Sequence, residues 1–325
     1  MTHDPLQSRL KAYFARHSPE QSRRSPGPLV TLAGGWASSL YTFTLDRAES
    51  GDVPATTLVL KLYAPDARGR EHATREWRAL TRLRSMNCSV PRAILCEPDA
   101  HHLGHPFIVM DHIPGTSFWH AFEAADSATQ SQLTQSFVAQ LVALHALDPQ
   151  LLDPAAIATH PNGYLEQELE QLRRDSTSPP HTILAEIVSW LEQRKQAVPC
   201  ERPAILHRDY HPWNVLVDAA GDLWVIDWDW QIGDARFDLA WACTLMQRSN
   251  FPTFSSAVRD EYAQQSDRPL DDLAYFEVLT TVRWLLNVLP NAAAQSDFRE
   301  FLIGPVRRAQ TFLQEHTGIT VNIRI

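Results

Sequence analysis

The sequence is short of cysteine: of 325 residues only Cys88, Cys96, Cys200 and Cys243 are cysteines, and no two form a C-x-x-C pair. Each sits in or beside an apolar run, which excludes a disulfide framework and fits reduced, structural thiols. Long hydrophobic runs are missing too, since no stretch approaches the ~18 apolar residues of a membrane span. The first residues, MTHDPLQSRLKAYF, lack an apolar core with a small-residue cleavage site, so the expectation is a soluble, cytoplasmic protein with no membrane partner. Positive charge is also scarce. With 29 Lys and Arg against 38 Asp and Glu, the formal charge is -9, which offers no general attraction to a phosphate backbone and argues against nucleic acid as a partner. No internal repeat is present.

What is present is ordinary for a globular protein, with 44% hydrophobic and 21% charged residues. The length suits two domains or lobes. Residues 18–28, SPEQSRRSPGP, are polar and proline-rich and join a short leading helix to the chain from Leu29 onward, so 1–28 reads as helix and linker. Three β-rich runs come next, LVTLAGG, SLYTFTL and TTLVLKLY, separated by turn-like segments such as ESGDVPA. A charged stretch from Arg68 to Ser85 carries Trp77, Leu80 and Leu83 at helical spacing, and SVPRAILCE and PFIVMDHI read as two further strands. Past Pro114 the pattern turns helical, with Leu133, Phe137, Leu141 and Leu144 on one face and Asp126 or Ser127 as the N-cap. The exception is VLVDAAGDLWVID, two apolar runs around Ala219 to Asp222, which reads as a hairpin. The expected division is a sheet-rich lobe over 29–113 and a helical lobe over 114–325.

Chemistry is concentrated in ILHRDYHPWNVLVDAAGDLWVIDWDW, where His207, Asp209, His211, Asn214, Asp227 and Asp229 interrupt an apolar background. Two readings compete. His207 and His211 have the four-residue spacing of a zinc-protease helix, but Arg208 stands where the glutamate belongs, and no further His or Cys ligand is arranged nearby. Oxygen ligands for magnesium fit better, because an asparagine five residues after an aspartate, with another aspartate on the next hairpin, supplies a hard cation. In phosphoryl transfer one carboxylate orients the attacking hydroxyl while a separate amide and carboxylate hold the ions that bridge the phosphates.

HRDYHPWNVL, then VIDWDW, then GDARFDLAW closely resemble the aminoglycoside phosphotransferase and choline kinase-like family, relatives of protein kinases. VLKLY, REWRAL, GHPFIVMDHIPG and LVALHALDP extend the resemblance over most of residues 29–245. It implies an α+β, protein-kinase-like, two-lobed fold with ATP in the cleft, GTP being the other choice, and Mg2+ beside it. It makes Asp209 the catalytic aspartate, Asn214 and Asp227 the magnesium ligands, Lys61 the phosphate-binding lysine and Glu76 its helix partner. Gly34, Gly35 and Ser38 fall in the segment that should cover the phosphates, although LAGGWASSLY lacks a G-x-G-x-x-G, and Asp111 and Ile113 fall in the nucleotide-binding stretch. Asp238 resembles the helix-start aspartate that holds the catalytic-loop backbone, and His207 reads as a brace. The IDW form after Ile226, with no glycine at 229, argues against a protein substrate.

The implied function is phosphate transfer to a hydroxyl of a small molecule such as an aminoglycoside, an amino alcohol or a related metabolite. A nucleotide-binding scaffold without transfer is the rival, disfavoured because Lys61, Asp209, Asn214 and Asp227 are all present. Residues 114–200 hold ten acidic side chains against four basic ones, which points to a cationic acceptor in the helical lobe. In DDLAYFEVLTTVRWLLNVL, Glu277, Thr281 and Trp284 share one helical face, so Glu277 and Trp284 are the expected ammonium-binding pair, by charge and by cation–π contact.

Overall fold

The computed structural model describes residues 5–17, 25–32, 38–45, 55–153, 163–177, 181–294 and 296–323. They divide into two compact units, one formed by residues 1–116 and 216–229, the other by 117–215 and 230–325.

The first unit is built on an antiparallel five-stranded sheet in the order β1-β2-β3-β5-β4. Its strands are β1 (Val30–Leu32), β2 (Ser39–Leu45), β3 (Thr56–Leu62), β4 (Ala93–Glu97) and β5 (Phe107–Asp111). Between β3 and β4 runs α2 (Ala67–Ser85), so the observed order is the three strands, helix and two strands read from the sequence. The β2–β3 register places Leu40 beside Lys61, and β5 places Ile108 on its other side. Lys61 is thus a central-strand position rather than an edge one, where a charge persists only with partners.

The leading helix, α1 (Pro5–His17), is not a mere appendage. Its Leu10, Tyr13 and Phe14 are buried in one cluster with Phe43, Leu45, Leu58, Leu60 and Phe107. This is the driving force that docks it, since each large apolar side chain removed from water contributes about 1.5–3 kcal/mol. Hairpin strands β8 (Val215–Asp218) and β9 (Leu223–Val225) form a second sheet in the order β6-β8-β9 with β6 (Gly115–Ser117). Gly221, at φ 87, makes the turn. The hairpin therefore belongs with the first unit, although the sequence division put everything after 113 in the second. Pairing with β6 carries it back, and Val225 donates its N–H to the Ser89 carbonyl at 2.9 Å.

The second unit is helical: α3 (Phe118–Ala124), α4 (Ser127–Ala146), α5 (Gly163–Asp175), α6 (Ala185–Arg194), α7 (Arg236–Arg248), α8 (Pro252–Gln265), α9 (Leu273–Ala294) and α10 (Ser296–Thr317). A short ladder of β7 (Ala204–Leu206) and β10 (Gln231–Gly233) flanks the loop from 207 to 214. Asp126 caps α4, accepting from the Thr129 N–H at 2.8 Å. Phe137, Val138 and Leu141 of α4 are fully buried, as their helical spacing requires. Among the described residues no helix is long and apolar enough to cross a membrane.

Candidate active site

In the second unit the loop after β7 holds Asp209 from several sides. Trp241 of α7 donates its indole N–H to Asp209 Oδ1 at 2.8 Å, and Asn214 Nδ2 donates to Oδ2 at 2.9 Å and to the Asp209 carbonyl at 3.0 Å. The Asp209 N–H donates to His207 Nδ1 at 3.1 Å. His207 is fully buried, so its ring braces the loop. His211 stands with Nε2 at 3.3 Å from Asp209 Oδ1, and its Nδ1 accepts from the Trp213 N–H at 3.2 Å. The histidine rings therefore serve the loop, and among the described residues no group of three or more His, Cys, Asp or Glu could hold a metal.

The loop backbone is pinned from below. Asp238, fully buried near the start of α7, accepts the His207 N–H at 2.6 Å and the Arg208 N–H at 2.8 Å. His145 adds Nε2 at 3.3 Å and is itself held through Nδ1 by the Tyr262 hydroxyl at 2.8 Å. These contacts over-determine a strained turn, for Arg208 has φ 71, a left-handed conformation that few non-glycine residues adopt. The Arg208 side chain is anchored on Glu168 at 2.5 Å.

In the first unit Lys61 Nζ forms ion pairs with Glu76 Oε2, at 2.6 Å, and with Asp227 Oδ1. Tyr63 completes the group by donating its hydroxyl to Glu76 Oε2 at 2.5 Å. Lys61 and Glu76 are buried, while the Asp227 side chain is half-exposed. Burial pulls the Lys61 ammonium down, but Asp227 and Glu76 outweigh it and leave its pKa above the ordinary lysine value. Burial raises the Glu76 carboxyl, Lys61 opposes the rise, and Asp227 adds to it. Asp227 has φ 67, so the acidic residue after the hairpin is again held in a strained backbone.

Glu76 is set by the start of its helix. Asp66 caps α2, accepting the Gly69 N–H at 2.8 Å, and a Cβ on Gly69 would lie 1.9 Å from the Ala64 carbonyl oxygen. Asp111, at the end of β5, takes Arg92 Nε and Nη2 at 3.2 and 3.1 Å. Ile113 follows the last sheet bond of that strand, His112 N–H to the Thr57 carbonyl at 3.3 Å, and lies beyond the strand's end. Ser38 immediately precedes β2, while Gly34 and Gly35 lie outside the described residues.

The expected ammonium pair is arranged differently. Glu277 is buried and accepts an ion pair from Arg259, which neutralises it. Trp284 is buried too, and its ring is covered by the Arg248 guanidinium at 4.6 Å. An ammonium would find the carboxylate taken and the indole face already occupied by a cation. Sequence reasoning also missed Trp241, Tyr63 and Arg248. Trp241 had a signal, since it lies three residues after Asp238 in FDLAW and shares its helix face.

The chain belongs to the phosphotransferase enzyme family, whose model matches residues 29–277. Three solved structures share the fold. One is a Ralstonia eutropha JMP134 protein assigned to the aminoglycoside phosphotransferases (17% identity, 97% of this chain and 99% of that one, TM-score 0.68). The second is a choline/ethanolamine kinase family protein from Mesorhizobium loti (17%, 96% and 98%, TM-score 0.63). The third is choline kinase LicA from Streptococcus pneumoniae (16%, 96% and 100%, TM-score 0.63). Acyl-CoA dehydrogenase family member 11 of Gallus gallus is 25% identical over 242 residues, 73% of this chain, which spans only 30% of that relative. The chain has a protein-kinase-like α+β fold.

Proposed function

We propose that the protein transfers the γ-phosphate of ATP to a hydroxyl of a small molecule, with Asp209 as the catalytic base. The observation that carries this is the hydrogen-bond cage around Asp209, in which Trp241 and Asn214 fix both carboxylate oxygens. A carboxylate has about four acceptor sites, so Trp241, Asn214 and the nearby His211 Nε2 still leave one for the acceptor hydroxyl. Asp209 orients that hydroxyl and takes its proton as the oxygen bonds to the γ-phosphorus and the bond to the departing nucleoside diphosphate breaks. Lys61 neutralises phosphate charge, and Glu76 with Tyr63 keeps its ammonium from swinging away.

The donor set fits magnesium. Both Asn214 contacts run through its amide nitrogen, which leaves the amide oxygen as the remaining acceptor, and Asp227 offers a half-exposed carboxylate. Asn214 and Asp227 would hold the ion, which when bound would neutralise phosphate charge. Ile113 and Asp111 are assigned to the base end of the nucleotide, and Ser38, with Gly34 and Gly35, to its phosphates. Support for a nucleotide and a small acceptor comes from relatives. LicA has been solved with AMP, and a thermostable mutant of APH(4)-Ia with AMP-PNP and hygromycin B.

Asp209→Asn tests the proposal. Transfer should fall by at least about 100-fold, the usual scale for a lost general base, while nucleotide affinity stays near wild type. Full activity in that variant would end the assignment, and a protein that binds nucleotide but phosphorylates nothing would be the scaffold instead.

A further inference from the structure

Two side chains of interest share a face of α7. Trp241 holds Asp209, and Arg248 lies seven residues further on, about 10 Å along the same helix face. Arg248 is only 3% exposed. Besides covering the Trp284 ring, it donates from Nη1 to Thr281 Oγ1 at 3.2 Å. Its Nε and Nη2 are buried with no hydrogen-bond partner among the described residues. Burial alone pushes its pKa down to about 9, so it remains charged at neutral pH, with no carboxylate among the described residues paired to it. A buried cation with unused donors is costly to keep, and packing against an indole would be served as well by an apolar side chain.

The unanswered guanidinium lines a cavity of about 400 Å3. Thr244, Gln247 and Thr281 contribute polar walls, and Arg307 and Arg308 add two more cations against a single exposed acid, Glu315. Arg308 Nε is fixed on the Arg248 carbonyl at 2.6 Å, which ties the two arginines together. An amine-bearing acceptor would bring another cation to a group that already lacks a counter-ion. An oxyanion would supply both the missing charge and acceptors for a guanidinium fork.

The geometry points to an acceptor that carries an anionic oxyacid group, a carboxylate or a phosphate ester, seated on Arg248 while its hydroxyl faces Asp209. This rests on the proposed kinase function and reverses the charge that the acidic composition of residues 114–200 suggested. The acceptor would be extended, with hydroxyl and anion toward opposite ends.

The test uses the full chain with magnesium-ATP and three acceptor panels: hydroxy acids and sugar phosphates, their neutral amides and free sugars, and amino alcohols. The first panel should be preferred, its carboxylate and phosphate arms showing which anion is used. Arg248→Met should raise the KM of the preferred acceptor by at least about tenfold while leaving the KM for ATP unchanged. Arg248→Lys, which keeps the charge without the fork, should fall between them. Sulfate and malate titrated into the wild type should raise its melting temperature. Arg248→Met should lose that shift yet melt no lower than wild type without anion, because an uncompensated charge has gone. Equal turnover of neutral or cationic acceptors, an unchanged KM in Arg248→Met, or no anion shift in the wild type overturns the anionic acceptor and leaves the kinase function standing. No transfer to any panel by a protein that binds ATP overturns the kinase function, and this inference with it.

Discussion

At the scale of single residues, the Lys61 group shows how one buried charge depends on its neighbours. Lys61 sits on a central strand, and its ammonium is tolerable there because Glu76 and Asp227 both reach it. Lys61→Ala leaves Glu76 buried without its cation, so unfolding in urea should show a loss of about 3–5 kcal/mol, the scale for breaking a buried pair. Replacing both partners by neutral isosteres, Lys61→Met with Glu76→Gln, should recover much of that loss. A double variant as unstable as the sum of its single changes would show that the two residues do not act as a unit. Activity follows a different ranking. On the proposed function, Lys61→Ala removes the phosphate contact itself, whereas Glu76→Ala only frees the lysine to wander, so its kcat/KM should fall less, and the double variant should be little worse than Lys61→Ala.

At the scale of elements, α2 is placed by its first turn, and Glu76 comes two turns later. Gly69→Ala forces a Cβ against the Ala64 carbonyl, which cannot move without shifting the helix start. The expected cost is about 1–3 kcal/mol of overpacking, with a raised KM for nucleotide as Glu76 is displaced. Asp66→Ala should cost about 1 kcal/mol through the lost cap and leave the nucleotide KM nearly unchanged. If Gly69→Ala changed stability alone, the helix start would not be what positions Glu76. Much of this scaffold was legible in the sequence. The β-rich runs, the charged helix and the hairpin at 215–227 all appear in their expected order, because strand alternation and turn residues are local signals. The surroundings of α9 were not legible. Its helical period separates Glu277, Thr281 and Trp284 from the face of Leu279 and Val282, yet both faces are buried. Periodicity assigns residues to faces but does not say how many neighbours an element has, or that an arginine from α7 will lie across Trp284. The same limit hid the hairpin's return to the first unit, which depends on a long-range pairing with β6.

At the scale of the whole molecule, the protein should be vulnerable to alkali. All four cysteine thiols are raised by burial, and six of the seven tyrosines are raised with them. Each of these groups keeps its proton in the folded chain at a pH where the unfolded chain has lost it. The folded state then binds more protons, so stability falls as pH rises past the unfolded values near 9 for thiols and 10 for phenols. Lys61, also raised, adds in the same direction above its ordinary value of 10.5. Arg248 opposes them, since its pKa, lowered to about 9, makes folding release a proton above that value, but it is one group. The buried Tyr63, Tyr164, Tyr210 and Cys243 carry most of the effect, while solvent screens the half-buried Cys88. Four such groups give a slope of about 5 kcal/mol per pH unit once their unfolded forms have ionised, against a typical total stability of 5–15 kcal/mol. Urea midpoints should therefore hold steady from pH 7 to about 8.5, drop above pH 9, and vanish within about one to three units above pH 10. Tyrosinate absorbance should appear together with the loss of helical circular dichroism rather than before it. Ionisation of most phenols in a chain that stays folded would show that these tyrosines are not held from water as the packing requires.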